Sequence, residues 1–155
     1  MISDSLLQGV YLFADLDADE RNQLARIAEP MSLRGGVAVF RSGDTATALY
    51  LIKNGSVRIT NVSPSGANID VAMLASGSHF GEMALVDGAK RSASAETLEP
   101  TNMFRFDYDK VKGLLDRSPA TASKFYRSLA RFLSNRLRQT TTDMGYAREK
   151  NLRHF

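Results

Sequence analysis

The sequence predicts an antiparallel β core, barrel or sandwich, with helices at both ends. Three observations predict it. Short strand-like segments between about Arg34 and Phe106 are separated by turn signals. A capped, apolar-striped segment precedes them, and a long segment of helical periodicity follows. Strands this short and evenly punctuated do not suit βαβ units.

The first zone runs to about Pro30. Asp17 and Glu20 have the spacing of a capping box, in which each side chain satisfies a free amide at a helix start. Leu24, Ile27 and Ala28 supply an apolar stripe, and Pro30 marks a stop. In the second zone Val37 to Phe40 is followed by the turn Ser42-Gly43-Asp44, and Ala48 to Ile52 by the hairpin signal Asn54-Gly55. Val57 and Ile59 alternate with Arg58 and Thr60, as in a half-buried strand. Ser63 to Gly66 turns the chain, Ile69, Val71 and Met73 share a face, and Met103 to Phe106 closes the set.

In the third zone Asp107 or Asp109 caps a short helix carrying Val111, Leu114 and Leu115. Ser118-Pro119 supplies an N-cap followed by proline at the first helical position. Ala122, Tyr126, Leu129, Leu133 and Leu137 then recur at helical spacing, widened by Phe125 and Phe132. The pattern predicts a helix of about 20 residues, reaching Thr141 or beyond. Its broad apolar face suits both the core and a second copy. The expected units are 1–30, a core at 31–106, and a hinge and lid at 107–155.

Composition limits the function. At 155 residues and 43% hydrophobic content the chain can bury its own core. It has no cysteine, so no disulfide forms. No apolar run approaches the roughly 20 residues of a membrane helix, and the N-terminus lacks the pattern of a signal peptide. A cytoplasmic address is expected. Net charge is +3, with the basic excess late in the chain, from Lys110 to Arg153. A solvated helix face accounts for it, with nucleic acid or an acidic partner as the alternative.

Catalysis finds little support. His79 and His154 are the only histidines, and neither H-E-x-x-H, Walker nor G-x-S-x-G patterns occur. No metal site and no cofactor is expected.

The chemistry concentrates in His79 to Ala95, which interrupts the strand pattern. Glu82 to Leu85 suits one helical turn, whose free amides can seat an anion. Gly81 permits a close backbone approach. Arg91 offers a permanently charged fork for phosphate oxygens, and Ser92 a hydroxyl. Glu82, an acceptor when ionised, suits sugar hydroxyls.

Phe80-Gly81-Glu82-Met83-Ala84-Leu85 followed by Arg91-Ser92-Ala93 resembles the phosphate-binding cassette of cyclic-nucleotide-binding domains. That family includes the catabolite activator protein, kinase regulatory subunits and cyclic-nucleotide-gated channels. Leu12-Phe13, Gly43-Asp44, Leu49-Tyr50, Gly55 and Ser118-Pro119 extend the likeness from Leu12 to Leu137.

The resemblance implies a mainly β fold: a jelly-roll-like antiparallel barrel, or double-stranded β-helix, with N-terminal helices and a long C-terminal helix. It implies a cassette at 80–93 and cyclic AMP as ligand, with cyclic GMP as the alternative. Glu82 would accept from the ribose 2′-hydroxyl. Arg91 would hold the exocyclic phosphate oxygens, with Ser92 and the Ala84 amide beside it. Ile59 and Val71 would line the base, and Arg136, Gln139 or Thr140 would cover the purine. The competing readings are a ligand-free dimerisation or docking module, and a truncated transcription regulator. About 15 residues after Gln139 are too few for a helix-turn-helix, so nucleic acid is not expected as a partner. A homodimer through the last helix and an effector protein are the expected partners.

Overall fold

The computed structural model describes residues 1–152. Arg153 and His154, named above in the basic tail and as a terminal histidine, lie outside the described residues.

The capping box forms as expected. The Asp17 carboxylate accepts from the Glu20 amide at 2.8 Å and the Glu20 carboxylate from the Asp17 amide at 2.9 Å. It starts α2 (Ala18–Ile27), which follows α1 (Asp4–Gln8) and a 3-10 turn at Tyr11–Phe13. Pro30 follows the end of α2 by three residues. It sits in β1 (Glu29–Leu33), an edge strand, where a missing amide costs little.

The other strands are β2 (Ala38–Phe40), β3 (Ala48–Asn54), β4 (Val57–Val62), β5 (Asn68–Leu74), β6 (His79–Phe80), β7 (Ser94–Thr97) and β8 (Thr101–Asp107). Their arrangement corrects the expected barrel. They form two four-stranded antiparallel sheets, ordered β1-β8-β3-β6 and β2-β7-β4-β5. Among the described residues no ladder joins one sheet to the other, so β1, β6, β2 and β5 remain edges. The chain is also mixed α/β and not mainly β, because its helices hold more residues than its strands. Alternating short strands report one inward face each, and that pattern is the same for a closed barrel and for two separate sheets.

β3 explains how the layers stack. Residues 48–52 are all buried. Ala48, Tyr50 and Ile52 join Val57, Phe80, Ala95 and Met103 in the inter-sheet core. Leu49 and Leu51 point the other way, into a core shared with Phe104, Phe106 and the helices. A strand covered on both faces reads as a continuous apolar run. Gly55, in the hairpin after β3, has φ +102°, and a Cβ there would collide with Thr101 and Pro100. Only glycine fits.

Three helices complete the chain: α3 (Met83–Asp87), α4 (Tyr108–Arg117) and α5 (Pro119–Leu152). The Asp107 side chain caps α4. The Ser118 hydroxyl accepts from the Thr121 amide at the start of α5. At 34 residues α5 runs well past the predicted length. Its first half is fixed to the N-terminal helices. Phe125 stacks on Phe13 at 6.2 Å, and Tyr11 meets Phe132 at 5.9 Å. Lys124 donates to Glu20 at 2.7 Å, and the Thr121 hydroxyl donates to the other Glu20 oxygen. Burial alone would raise the Glu20 pKa. The Asp17 amide, Lys124 and Thr121 outweigh it and hold the carboxyl down to about 2.

Candidate functional site

The cassette is folded by its glycines and by Arg91. Gly81 has φ +82°, and a Cβ there would stand 2.9 Å from Nη1 of Arg91. A side chain at residue 81 would therefore be strained and would also displace the guanidinium. Gly88 ends α3 in the left-handed conformation at φ +65°, with its amide bonded to the Ala84 carbonyl. The backbone of Arg91 is pinned to the turn after β2: its amide donates to Asp44 at 2.9 Å and its carbonyl accepts from Gly43 at 2.8 Å.

The Arg91 side chain is nearly buried, at 7% exposed. Nη1 donates to the Gly81 carbonyl at 2.9 Å and to the Tyr108 hydroxyl at 3.1 Å, and Nη2 donates to the Ala48 carbonyl at 2.6 Å. Tyr108, the first residue of α4, also donates to the Gly81 carbonyl. Burial pushes the Tyr108 phenol above its ordinary pKa, against the opposing pull of the guanidinium. The Phe40 ring lies under the guanidinium at 3.9 Å. Nε is buried and has no protein partner.

Glu82 is 5% exposed and stands at the start of α3. Its Oε1 lies 3.3 Å from Nδ1 of His79, outside hydrogen-bond geometry. Both Glu82 and Arg91 line one cavity of about 480 Å³. That volume lies in the range of small-molecule sites. One side is the cassette and β6, another is β2 with Ile59 and Leu74, and the α5 face from Phe132 to Thr140 covers them.

The structure brings most of the sequence-predicted residues together there. Ile59, Phe80, Gly81, Glu82, Met83, Ala84, Arg91, Ser92, Ala93 and Arg136 all border the cavity, as does Thr140. Three do not. Leu85 turns into the core under the helices. Gln139 bonds to Asp143 along α5 at 3.0 Å. Val71 is 53% exposed on the edge strand β5. The β4–β5 register skips it, since Ile59 faces Ala72 and Thr60 faces Asp70. The extra residue of this bulge breaks the alternation along β5 that would keep Ile69, Val71 and Met73 on one face.

Sequence reasoning missed Phe40, Leu74, His79, Lys90 and Phe132. Phe40 and Phe132 were visible as apolar residues, but only tertiary packing shows that they face one hollow. Lys90, Arg91 and Arg136 give the cavity three cationic groups against the carboxylates of Glu82 and Asp87. Among the described residues, no cluster of three metal-ligating side chains forms, and no helix is long and apolar enough to cross a membrane.

Residues 30–118 match the family model of the cyclic nucleotide-binding domain. The chain is 31% identical to the cyclic AMP receptor protein of Thermus thermophilus over 138 residues, which is 89% of this chain and 62% of the relative. It therefore spans less than two thirds of that relative's length. The crystal structure of the Thermus thermophilus catabolite activator protein superposes with a TM-score of 0.76, at 31% identity, over 86% of this chain and 61% of the other. The N-terminal domain of a Streptomyces coelicolor transcriptional regulator gives the same TM-score at 28% identity, over 88% of this chain and 95% of that domain. With the model covering more than half of the sequence, the chain belongs to the cyclic nucleotide-binding domain family.

Proposed function

We propose that the cavity binds cyclic AMP and that the chain is a regulatory sensor whose output is movement of α4 and α5. One observation carries this reading. Glu82 and Arg91, nine positions apart in sequence, are both buried yet border the same hollow under α5. Buried charged groups are costly unless they are paired, and a cyclic phosphate on a ribose supplies an anion and a hydroxyl together. The name of the Thermus relative, a cyclic AMP receptor, supports the ligand class.

In this reading the unpartnered Nε of Arg91, the Ser92 hydroxyl and the Ala84 amide meet the phosphate. Glu82 accepts from the 2′-hydroxyl. Ile59 and Leu74 border the base, with Val71 reaching it only if β5 shifts, and Arg136 or Thr140 covers the purine. Arg91 and Tyr108 share the Gly81 carbonyl, so a pull on the cassette reaches the first residue of α4. Hydrogen bonds to charged groups contribute about 1.5–3 kcal/mol each. Two or three that differ between states approach the roughly 5.5 kcal/mol of a near-complete switch.

The proposal keeps the units 1–30, 31–106 and 107–155, with the cassette at 80–93, and a cytoplasmic address. The exposed Leu137 and Met144, seven residues apart on α5, support pairing of two copies along that helix.

A thermal-shift panel with cyclic AMP, cyclic GMP and cyclic dinucleotides tests the reading. Stabilisation by cyclic AMP at the lowest concentration is the expected result. A flat response to all of them favours the second reading, a ligand-free docking module. One observation speaks for that module: both terminal nitrogens of Arg91 already have protein acceptors.

A further inference from the structure

We infer that His79 is a positioning residue for Glu82 and thereby sets the preference of the site for a ligand that carries the sugar 2′-hydroxyl. This rests on the cyclic-nucleotide reading and goes beyond it, since neither the cassette pattern nor the charge of the site assigns His79 a role.

His79 is held in place from two sides. Its backbone pairs with Leu51 in the β3–β6 ladder. Its ring packs on Phe132 of α5 at 4.4 Å between centroids, inclined by 57°. The side chain is 4% exposed and borders the cavity. Neither ring nitrogen has a hydrogen-bond partner. A buried imidazole with both nitrogens unpaired is unfavourable, so the fold keeps it there at a cost in stability.

The neighbour that gives it a purpose is Glu82. Nδ1 stands 3.3 Å from Oε1, and among the described residues His79 is the only group within ion-pair range of that carboxylate. A small rotation of the ring brings its N–H into line with Oε1. The carboxylate is then fixed through one oxygen, leaving the other to accept from a ligand hydroxyl. A carboxylate held this way loses less freedom when the hydroxyl arrives. Without the imidazole, Glu82 is a buried charge with no fixed direction. Phe132 is the wall that stops the ring from swinging away.

The test is titration calorimetry on the full chain with cyclic AMP and 2′-deoxy cyclic AMP. Wild type is expected to prefer cyclic AMP by about tenfold, the worth of one hydrogen bond to a charged group. His79→Phe keeps the ring contact with Phe132 and removes the polar atoms. It is expected to cut that preference to about twofold or less, through weaker cyclic AMP binding, with 2′-deoxy cyclic AMP unchanged. His79→Gln, which restores a donor, is expected to return the preference to about fivefold or more. Should the phenylalanine variant fail to fold, His79→Leu takes its place. An undiminished preference in the apolar variant, or an equal loss for both ligands, overturns the positioning role alone. No binding of either ligand by wild type overturns the cyclic-nucleotide reading, and this role with it.

Discussion

Nη1 of Arg91 donates to the Gly81 carbonyl at 2.9 Å, which ties the two ends of the cassette together across ten residues. The same guanidinium reaches Ala48 on β3 and Tyr108 on α4. One side chain thus joins the loop at Gly81, the central strand and the helix that leads to α5.

Replacing Arg91 removes the proposed phosphate donor and a structural tie at once. Arg91→Ala is expected to weaken cyclic AMP binding by about tenfold or more in titration calorimetry, at the one charged hydrogen bond from Nε lost. Arg91→Lys keeps the charge but loses the planar fork, and its affinity is expected to fall between wild type and alanine.

Gly81→Ala meets two penalties. The backbone holds φ +82°, and the new Cβ would lie 2.9 Å from Arg91. Gly66→Ala is the control, with φ +85° and nothing within 4 Å of the added carbon. Both variants are expected to melt below wild type in calorimetry. Gly81→Ala should be less stable than the control by about 1–3 kcal/mol, the usual cost of overpacking.

The clasp between α2 and α5 makes stability depend on acid. Glu20 titrates at about 2 in the folded chain, below its ordinary 4.5. A depressed carboxyl pKa contributes stability that is fully present above about 4.5 and is lost as the pH falls toward 2. Urea melts across pH 2–7 are expected to show that loss in wild type. Glu20→Gln should lower stability at pH 7 by about 2 kcal/mol and flatten the acid limb. An identical pH profile in the two proteins would contradict the clasp.

Phe125 docks α5 through its stack on Phe13 and is 1% exposed. Phe125→Ala is expected to destabilise the chain by about 3–5 kcal/mol in denaturant titration. A loss below about 1 kcal/mol would mean that the helix is fixed elsewhere.

Much of this was legible in the sequence, for reasons that are local. The Asp17–Glu20 box, the Asn54-Gly55 hairpin and the Ser118-Pro119 start depend on neighbours a few positions away, and such signals survive folding unchanged. The cassette was legible because Phe80 to Leu85 and Arg91 to Ala93 form a short, contiguous pattern that resembles a known family. What failed depends on distant pairing. Whether two sheets close is decided at their edges, and no residue in β1 or β5 announces that choice. Val71 left the cavity because one extra residue in β5 shifted the register, and a bulge has no strong signature in Asp70-Val71-Ala72. His79 looked idle as a metal ligand. Its meaning came only with Glu82 on one side and Phe132, 53 residues away in sequence, on the other.

The central claim is that Glu82 and Arg91 hold opposite edges of one cyclic nucleotide. A crystal structure of the chain grown with cyclic AMP tests it most directly. The expected density places the phosphate within hydrogen-bond reach of Arg91 Nε and the 2′-hydroxyl on Glu82, beneath Phe132 and Arg136. A ligand bound elsewhere, or a cavity still empty while Arg91 keeps only its bonds to Gly81, Ala48 and Tyr108, would contradict it.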